Sequence, residues 1–205
     1  METERSQVKL DQILAAAKKR FGRYGLSKTT MNNIADDIGL SKASLYYYYK
    51  DKETLFTAVI EKEQEHFLKE MQEIVHTTTK ADGMLLAYID LRIDLFKKLI
   101  TPGKFSYDSY LEIKPFFSSM LQNFRKKEMK MIMNILKIGV ERKVFSVDNI
   151  KEHTEFFLDT LRGLRQVIIA EYAVNEMLDI PPKKYQKLKQ HSILFVEYFI
   201  KGISA

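Results

Sequence analysis

The chain has 205 residues, of which 45% are hydrophobic and 29% charged, and it contains no cysteine. Disulfides, thiolate metal sites and cysteine nucleophiles are therefore excluded. The net charge of +6 and pI of 9.2 hint at an anionic partner, and residues 1–60 hold ten Lys/Arg against seven Asp/Glu.

The N-terminus, METERSQVKL, carries charge where a signal peptide needs an apolar stretch. The most apolar late run, Ile193 to Ile200, is far short of the roughly 18 residues that span a bilayer. A soluble, cytoplasmic protein with no membrane partner is expected.

Helix-period spacing runs through the sequence. Ile13, Leu14, Ala17 and Phe21 share one face of a first helix that stops near Tyr24–Gly25. Two short helices follow, separated at Gly39. Asp51 is placed as the N-cap of a long fourth helix with Leu55, Val59, Phe67, Met71, Ile74 and Val75 on its apolar stripe. Further helices are expected from about Asp82 to Ile100, Lys114 to Arg142, Ile150 to Glu176 and Lys183 to Lys201. Pro102 and Gly103 make the stretch between Thr101 and Lys114 a turn with at most a short helix, and Pro181–Pro182 separates the last two helices. Ile193–Ile200 has the composition of a strand but no partner strand or hairpin turn nearby. The fold class is all-α with about nine helices. A three-helix helix-turn-helix domain is expected over residues 1–50, and a larger helical domain over residues 51–205.

The segment from Thr29 to Lys52, TTMNNIADDIGLSKASLYYYYKDK, is the informative one. Two short helices that cross closely need a small residue at the crossing, which Ala35 supplies. The bend between them favours a residue that tolerates φ > 0, and Gly39 follows four positions later. Ile34, Ile38, Leu40 and Leu45 then face inward. Ser41 caps a second short helix that begins near Lys42.

The exposed positions match that geometry. Thr29 or Thr30 caps the first short helix, where free N–H groups can hold a phosphate. Lys42, Ala43, Ser44 and Tyr47 lie near the start of the second, the part that reaches base edges in a major groove. Lys42 suits guanine O6/N7, Ser44 several bases, and Ala43 a thymine methyl. Tyr46, Tyr48 and Lys52 are assigned to phosphates, fixing register without reading sequence. With Ser41 and both threonines these form the candidate DNA-binding set.

The run from Gly25 to Phe56 resembles the N-terminal signature of the TetR family of regulators. The matching positions are Thr29, Thr30, Ile34, Ala35, Gly39, Leu45, Tyr46, Lys52, Leu55 and Phe56. Tyr48–Tyr49 departs from the family's usual His-Phe, so a histidine contact is lost. The resemblance covers roughly the first quarter of the chain. It implies a regulator, a repressor by the family's habit, that binds palindromic operator DNA as a homodimer and is released by a small-molecule effector.

The C-terminal half offers surfaces for those tasks. The last two long helices are apolar on more than one side and so need burial on more than one side. Phe157, Leu161, Leu164, Ile168, Ile193, Val196, Phe199 and Ile200 are the candidate dimer residues, packed as a four-helix bundle. Candidate effector-pocket residues are Phe96, Phe105, Tyr107, Tyr110, Phe116, Phe117, Met120, Leu121 and Phe124, with Arg162 or Arg165 as a polar anchor. Their aromatic and methionine content points to a lipophilic effector. Binding it would favour a dimer whose DNA-binding ends no longer match the operator, with the fourth helix as lever.

Two other function classes compete. One is a helical enzyme, but His66, His76, His153 and His191 lack metal-ligand spacing, and HExxH, nucleophile-elbow and phosphate-loop patterns are absent. The other is a helical effector- or protein-interaction module without DNA binding. No cofactor and no metal is expected.

Overall fold

The computed structural model describes the backbone of residues 2–100, 107–172 and 180–205, and the side chains of residues 6–99, 118–171 and 180–205. Eight helices lie within the described residues. They are α1 (Glu2–Tyr24), α2 (Met31–Asp37), α3 (Lys42–Tyr48), α4 (Lys52–Thr77), α5 (Ala81–Ile100), α6 (Tyr107–Glu141), α7 (Ile150–Tyr172) and α8 (Pro182–Ile203). The only β pairing among these residues is an isolated bridge between Phe145 and Ser204. The all-α expectation holds.

One boundary moves. α6 begins at Tyr107, seven residues before the expected Lys114, and runs through Pro115. A proline removes one hydrogen-bond donor, which a long helix tolerates at a local cost. The expected turn at Pro102–Gly103 and the expected end of α7 at Glu176 lie outside the described residues.

Two apolar cores order the helices. The smaller one joins α1, α2, α3 and the start of α4, enclosing Ile13, Phe21, Ile34, Leu45, Leu55 and Phe56. Phe21 meets Phe56 edge-on, with ring centroids 5.0 Å apart. Ion pairs flank this packing, from Lys18 to Glu63 and from Lys62 to Asp11, both at 2.6 Å. The larger core fills the space between α4, α5, α6, α7 and α8 around Met71, Leu85, Tyr88, Ile132 and Phe157.

α4 belongs to both. Its first two turns give Leu55, Phe56, Val59 and Ile60 to the small core, and its middle gives Phe67 and Met71 to the large one. The division expected at residue 50 therefore cuts through a packed unit. α1, α2 and α3 bury their apolar faces only with the start of α4 included.

Candidate functional site

The helix-turn-helix is built by local rules. α1 stops at Gly25, whose φ of 79° lies in the left-handed region. The Thr29 hydroxyl donates to the Gly25 carbonyl at 2.7 Å and closes the turn before α2. Thr30 caps α2 by accepting from the Asn33 N–H at 3.2 Å, while Asn33 Oδ1 accepts from the Thr30 N–H. α2 ends with Gly39 at φ 63°, and the Leu40 N–H returns to the Ala35 carbonyl at 2.9 Å. This is the helix stop in which an αL glycine lets two N–H groups satisfy the last carbonyls. Ser41 then caps α3 by accepting from the Ser44 N–H at 3.1 Å.

Only Leu45 of α3 is fully buried, and it anchors the helix in the small core. Ser41, Lys42, Ala43, Tyr46 and Tyr47 are exposed, and Tyr47 is 85% accessible. The Lys42 ammonium sits 5.7 Å from the Tyr46 ring centroid, a cation–π contact that keeps both on the outer face. Ser44 is half-buried, and its hydroxyl shares a hydrogen bond with Ser41 at 2.8 Å. α3 is thus held by one apolar anchor and one cap, with its polar face outward.

Three of the expected contact residues have other work. Thr29 is buried and committed to Gly25, so it faces no phosphate. Tyr48 is half-buried against the small core, with its ring edge-on to Tyr47 at 5.3 Å. Lys52 Nζ donates to the Leu26 carbonyl at 3.1 Å and so also ties α4 to the α1–α2 turn. Two cations that the sequence reading missed, Lys28 and Lys50, are exposed on either side of this unit. Their only signal in the sequence was charge.

The expected effector residues divide. Phe96 and Phe124 are buried in the large core. Met120 is buried instead in the small core, where it joins α6 to the α1–α4 unit. Leu121 is exposed on the outer side of α6, and Arg162 is exposed on α7. Phe105 lies outside the described residues. Tyr107, Tyr110, Phe116 and Phe117 lie on α6, with side chains outside the described set.

Around Phe96 and Phe124 the structure gathers a polar cluster that the sequence had not joined. The Tyr88 hydroxyl donates to Glu128 Oε1 at 2.8 Å, and Arg92 Nε donates to the same oxygen at 2.6 Å. Arg92 lies over the Phe124 ring at 5.3 Å, and Arg165 over the Phe96 ring at 5.6 Å. Burial and the neighbouring Glu128 charge hold the Tyr88 phenol well above its usual range. Burial pushes the Arg92 guanidinium down, but Glu128 more than offsets it, so Arg92 stays charged. Burial and then repulsion from Arg92 bring Arg165 down to about 10.

The expected dimer residues also divide. Phe157, Ile168, Val196 and Phe199 are buried in the chain's own core, and Leu161, Leu164, Ile193 and Ile200 are half-buried against it. The exposed apolar residues are their neighbours: Phe156 (59%), Val167 (69%), Leu194 (48%) and Tyr198 (63%). Phe156 and Val167 stand eleven residues apart on α7, three turns along one face, with Gly163 between them. A groove of about 540 Å³ lies between α7 and α8, bounded by Phe156, Phe195, Tyr198 and Phe199.

Among the described residues no group of His, Asp and Glu is arranged to hold a metal ion. No helix there is long and apolar enough to cross a membrane.

Residues 13–59 match the family model described as bacterial regulatory proteins, tetR family. The chain is 38% identical to a transcriptional regulator from Cytophaga hutchinsonii of known structure, with a TM-score of 0.87 over 96% of this chain and 99% of that one. A TetR transcription regulator from Haloarcula marismortui shares the fold at 18% identity, with a TM-score of 0.73 over 97% of this chain and 100% of that one. The chain is also 32% identical to the HTH-type transcriptional repressor KstR2 of Mycolicibacterium smegmatis over 81 residues. That match takes in 38% of this chain and spans 40% of the length of the curated relative.

Proposed function

The chain belongs to the TetR family of bacterial regulatory proteins, and on that premise we propose that it is a cytoplasmic repressor that binds a palindromic operator as a homodimer. The observation that carries the reading is the exposed face of α3. Leu45 holds the helix down and Ser41 caps its start, while Lys42, Ala43, Tyr46 and Tyr47 project outward. A helix held by one buried anchor with its polar face outward can lie in a major groove without unfolding anything. Lys42 reads guanine, Ala43 a thymine methyl and Ser44 its neighbours. Lys28, Lys50, Lys52, Thr30 and Tyr46 bind phosphates.

The second copy docks on α7 and α8. Their exposed stripe of Phe156, Val167, Leu194 and Tyr198 is the kind of apolar face that monomeric proteins avoid. A symmetric pair of these helices gives a four-helix interface and sets the two copies of α3 about 34–36 Å apart, or a multiple of that.

A small, lipophilic effector enters the large core beside Phe96 and Phe124. Met120 and the shared helix α4 carry the change from that core to the α1–α4 unit. A ligand that favours one packing of α6 against α4 shifts the population of dimers toward one that no longer fits the operator. Binding of the dimer to the DNA upstream of its own gene, tested with and without candidate effectors, decides between this reading and a helical interaction module without DNA binding.

A further inference from the structure

Among the described residues, the cluster between α5, α6 and α7 holds two guanidinium groups and one carboxylate. Tyr88, Arg92 and Phe96 recur every four residues along one face of α5, while Phe124 and Glu128 do the same on α6. Arg165 approaches from α7. Glu128 is the sole carboxylate bonded within the group, and it already accepts from both Tyr88 and Arg92. Arg165 has no hydrogen bond or ion pair among the described residues, and its contact is the Phe96 face. Two guanidinium groups therefore share one buried carboxylate.

Buried charge left without a partner is costly, and chains retain it where something else supplies the counter-charge. The Arg92–Glu128 pair is enclosed, with side-chain exposures of 16% and 8%, and Arg165 is half-buried beside it. Its fork of N–H donors suits a planar bidentate acceptor. Arg165 lies over the Phe96 ring, and Phe124, under Arg92, belongs to the same buried core, so the surroundings favour an apolar body over a hydrated ion.

We propose that the effector is an organic carboxylate whose head group pairs with Arg165 and whose apolar body lies against Phe96 and Phe124. This deepens the effector reading above and rests on it. Arg92, Glu128 and Tyr88 are positioning residues: their hydrogen bonds fix the floor of the site, and the Arg92 charge adds attraction for the anion. The carboxylate adds a second negative charge beside the two guanidinium groups, so binding is strongest for an acid and weakest for an amine.

The test uses thermal unfolding of the full chain with octanoate, dodecanoate and phenylacetate, each beside its matched alcohol and amine, and with inorganic phosphate at equal ionic strength. At about ten times Kd a carboxylate should raise Tm by about 3–5 °C. The matched alcohols, the amines and phosphate should give much smaller shifts. R165Q should weaken carboxylate binding by at least about tenfold. R165K, which keeps the charge and loses the fork, should fall between. Alcohols or phosphate as effective as the carboxylates would overturn the proposal, and so would a parent-like response in R165Q. Because Tm reports binding without DNA, a carboxylate that binds but leaves operator affinity unchanged would refute the release mechanism alone.

Discussion

The Lys52 ammonium donates to the Leu26 carbonyl at 3.1 Å, so one side chain at the start of α4 fastens the turn that introduces the helix-turn-helix. An ammonium has three N–H donors, and one is used here. Lys52 is half-buried, and in the proposed docking a phosphate takes a remaining donor. Lys52→Ala should lower stability by about 1 kcal/mol, since the bond is charge-assisted but only partly buried. It should also flatten the dependence of log K on log salt by about one unit. Loss of stability with an unchanged salt slope would show that Lys52 is structural alone.

Asp51 provides a pH-dependent contribution. Partial burial pushes its carboxyl up, but the hydrogen bonds from Thr54 and the charge of Lys50 outweigh that and hold it below the ordinary carboxylate value. A depressed folded-state value stabilises the protein above the unfolded-state value of about 3.9 and is lost as pH falls through the folded one. Asp51→Ala should therefore cost about 1 kcal/mol at neutral pH. In urea unfolding the gap to the parent should close as pH drops below about 4. A gap independent of pH would contradict the capping account.

Adjacent residues on α7 should behave in opposite ways. Phe157 is buried in the chain's own core and Phe156 projects from it. Phe157→Ala should cost about 3–5 kcal/mol of stability. Phe156→Glu combined with Val167→Glu should leave the helical circular dichroism intact and turn a dimer into a monomer on analytical ultracentrifugation. A dimer that survives both glutamates would move the interface elsewhere.

The legibility of the sequence follows the range of the interactions. The α2–α3 unit could be read because Thr30, Ala35, Gly39 and Ser41 act on neighbours a few residues away, and the structure realises each of those bonds. Thr29 was misread because a cap and a buried turn residue look alike in adjacent threonines. The faces of α7 and α8 could not be separated, since both stripes of each helix are apolar. Phe157 and Phe156 differ by one step of about 100° around the axis. Met120, a candidate pocket residue by sequence, packs in the small core, because only tertiary packing decides which neighbours an α6 methionine meets. The Tyr88–Glu128 bond joins residues 40 apart and has no local signature.

Arg165 links stability to ligand binding. Its guanidinium is held down to about 10 by burial and by Arg92, so its charge is disfavoured in the folded state. Arg165→Met should raise Tm of the ligand-free protein by about 2–4 °C. A lowered Tm in the absence of ligand would mean that Arg165 already has its counter-charge.

The most direct test of the central claim is the affinity of the parent and of Lys42→Ala for the DNA upstream of the gene and for a scrambled duplex, measured by fluorescence anisotropy across a salt series. If α3 lies in the major groove, the parent should prefer its operator, and Lys42→Ala should lose about 5- to 150-fold of that preference while still binding both duplexes at low salt. If Lys42→Ala discriminates as well as the parent, the face that α3 presents does not read DNA.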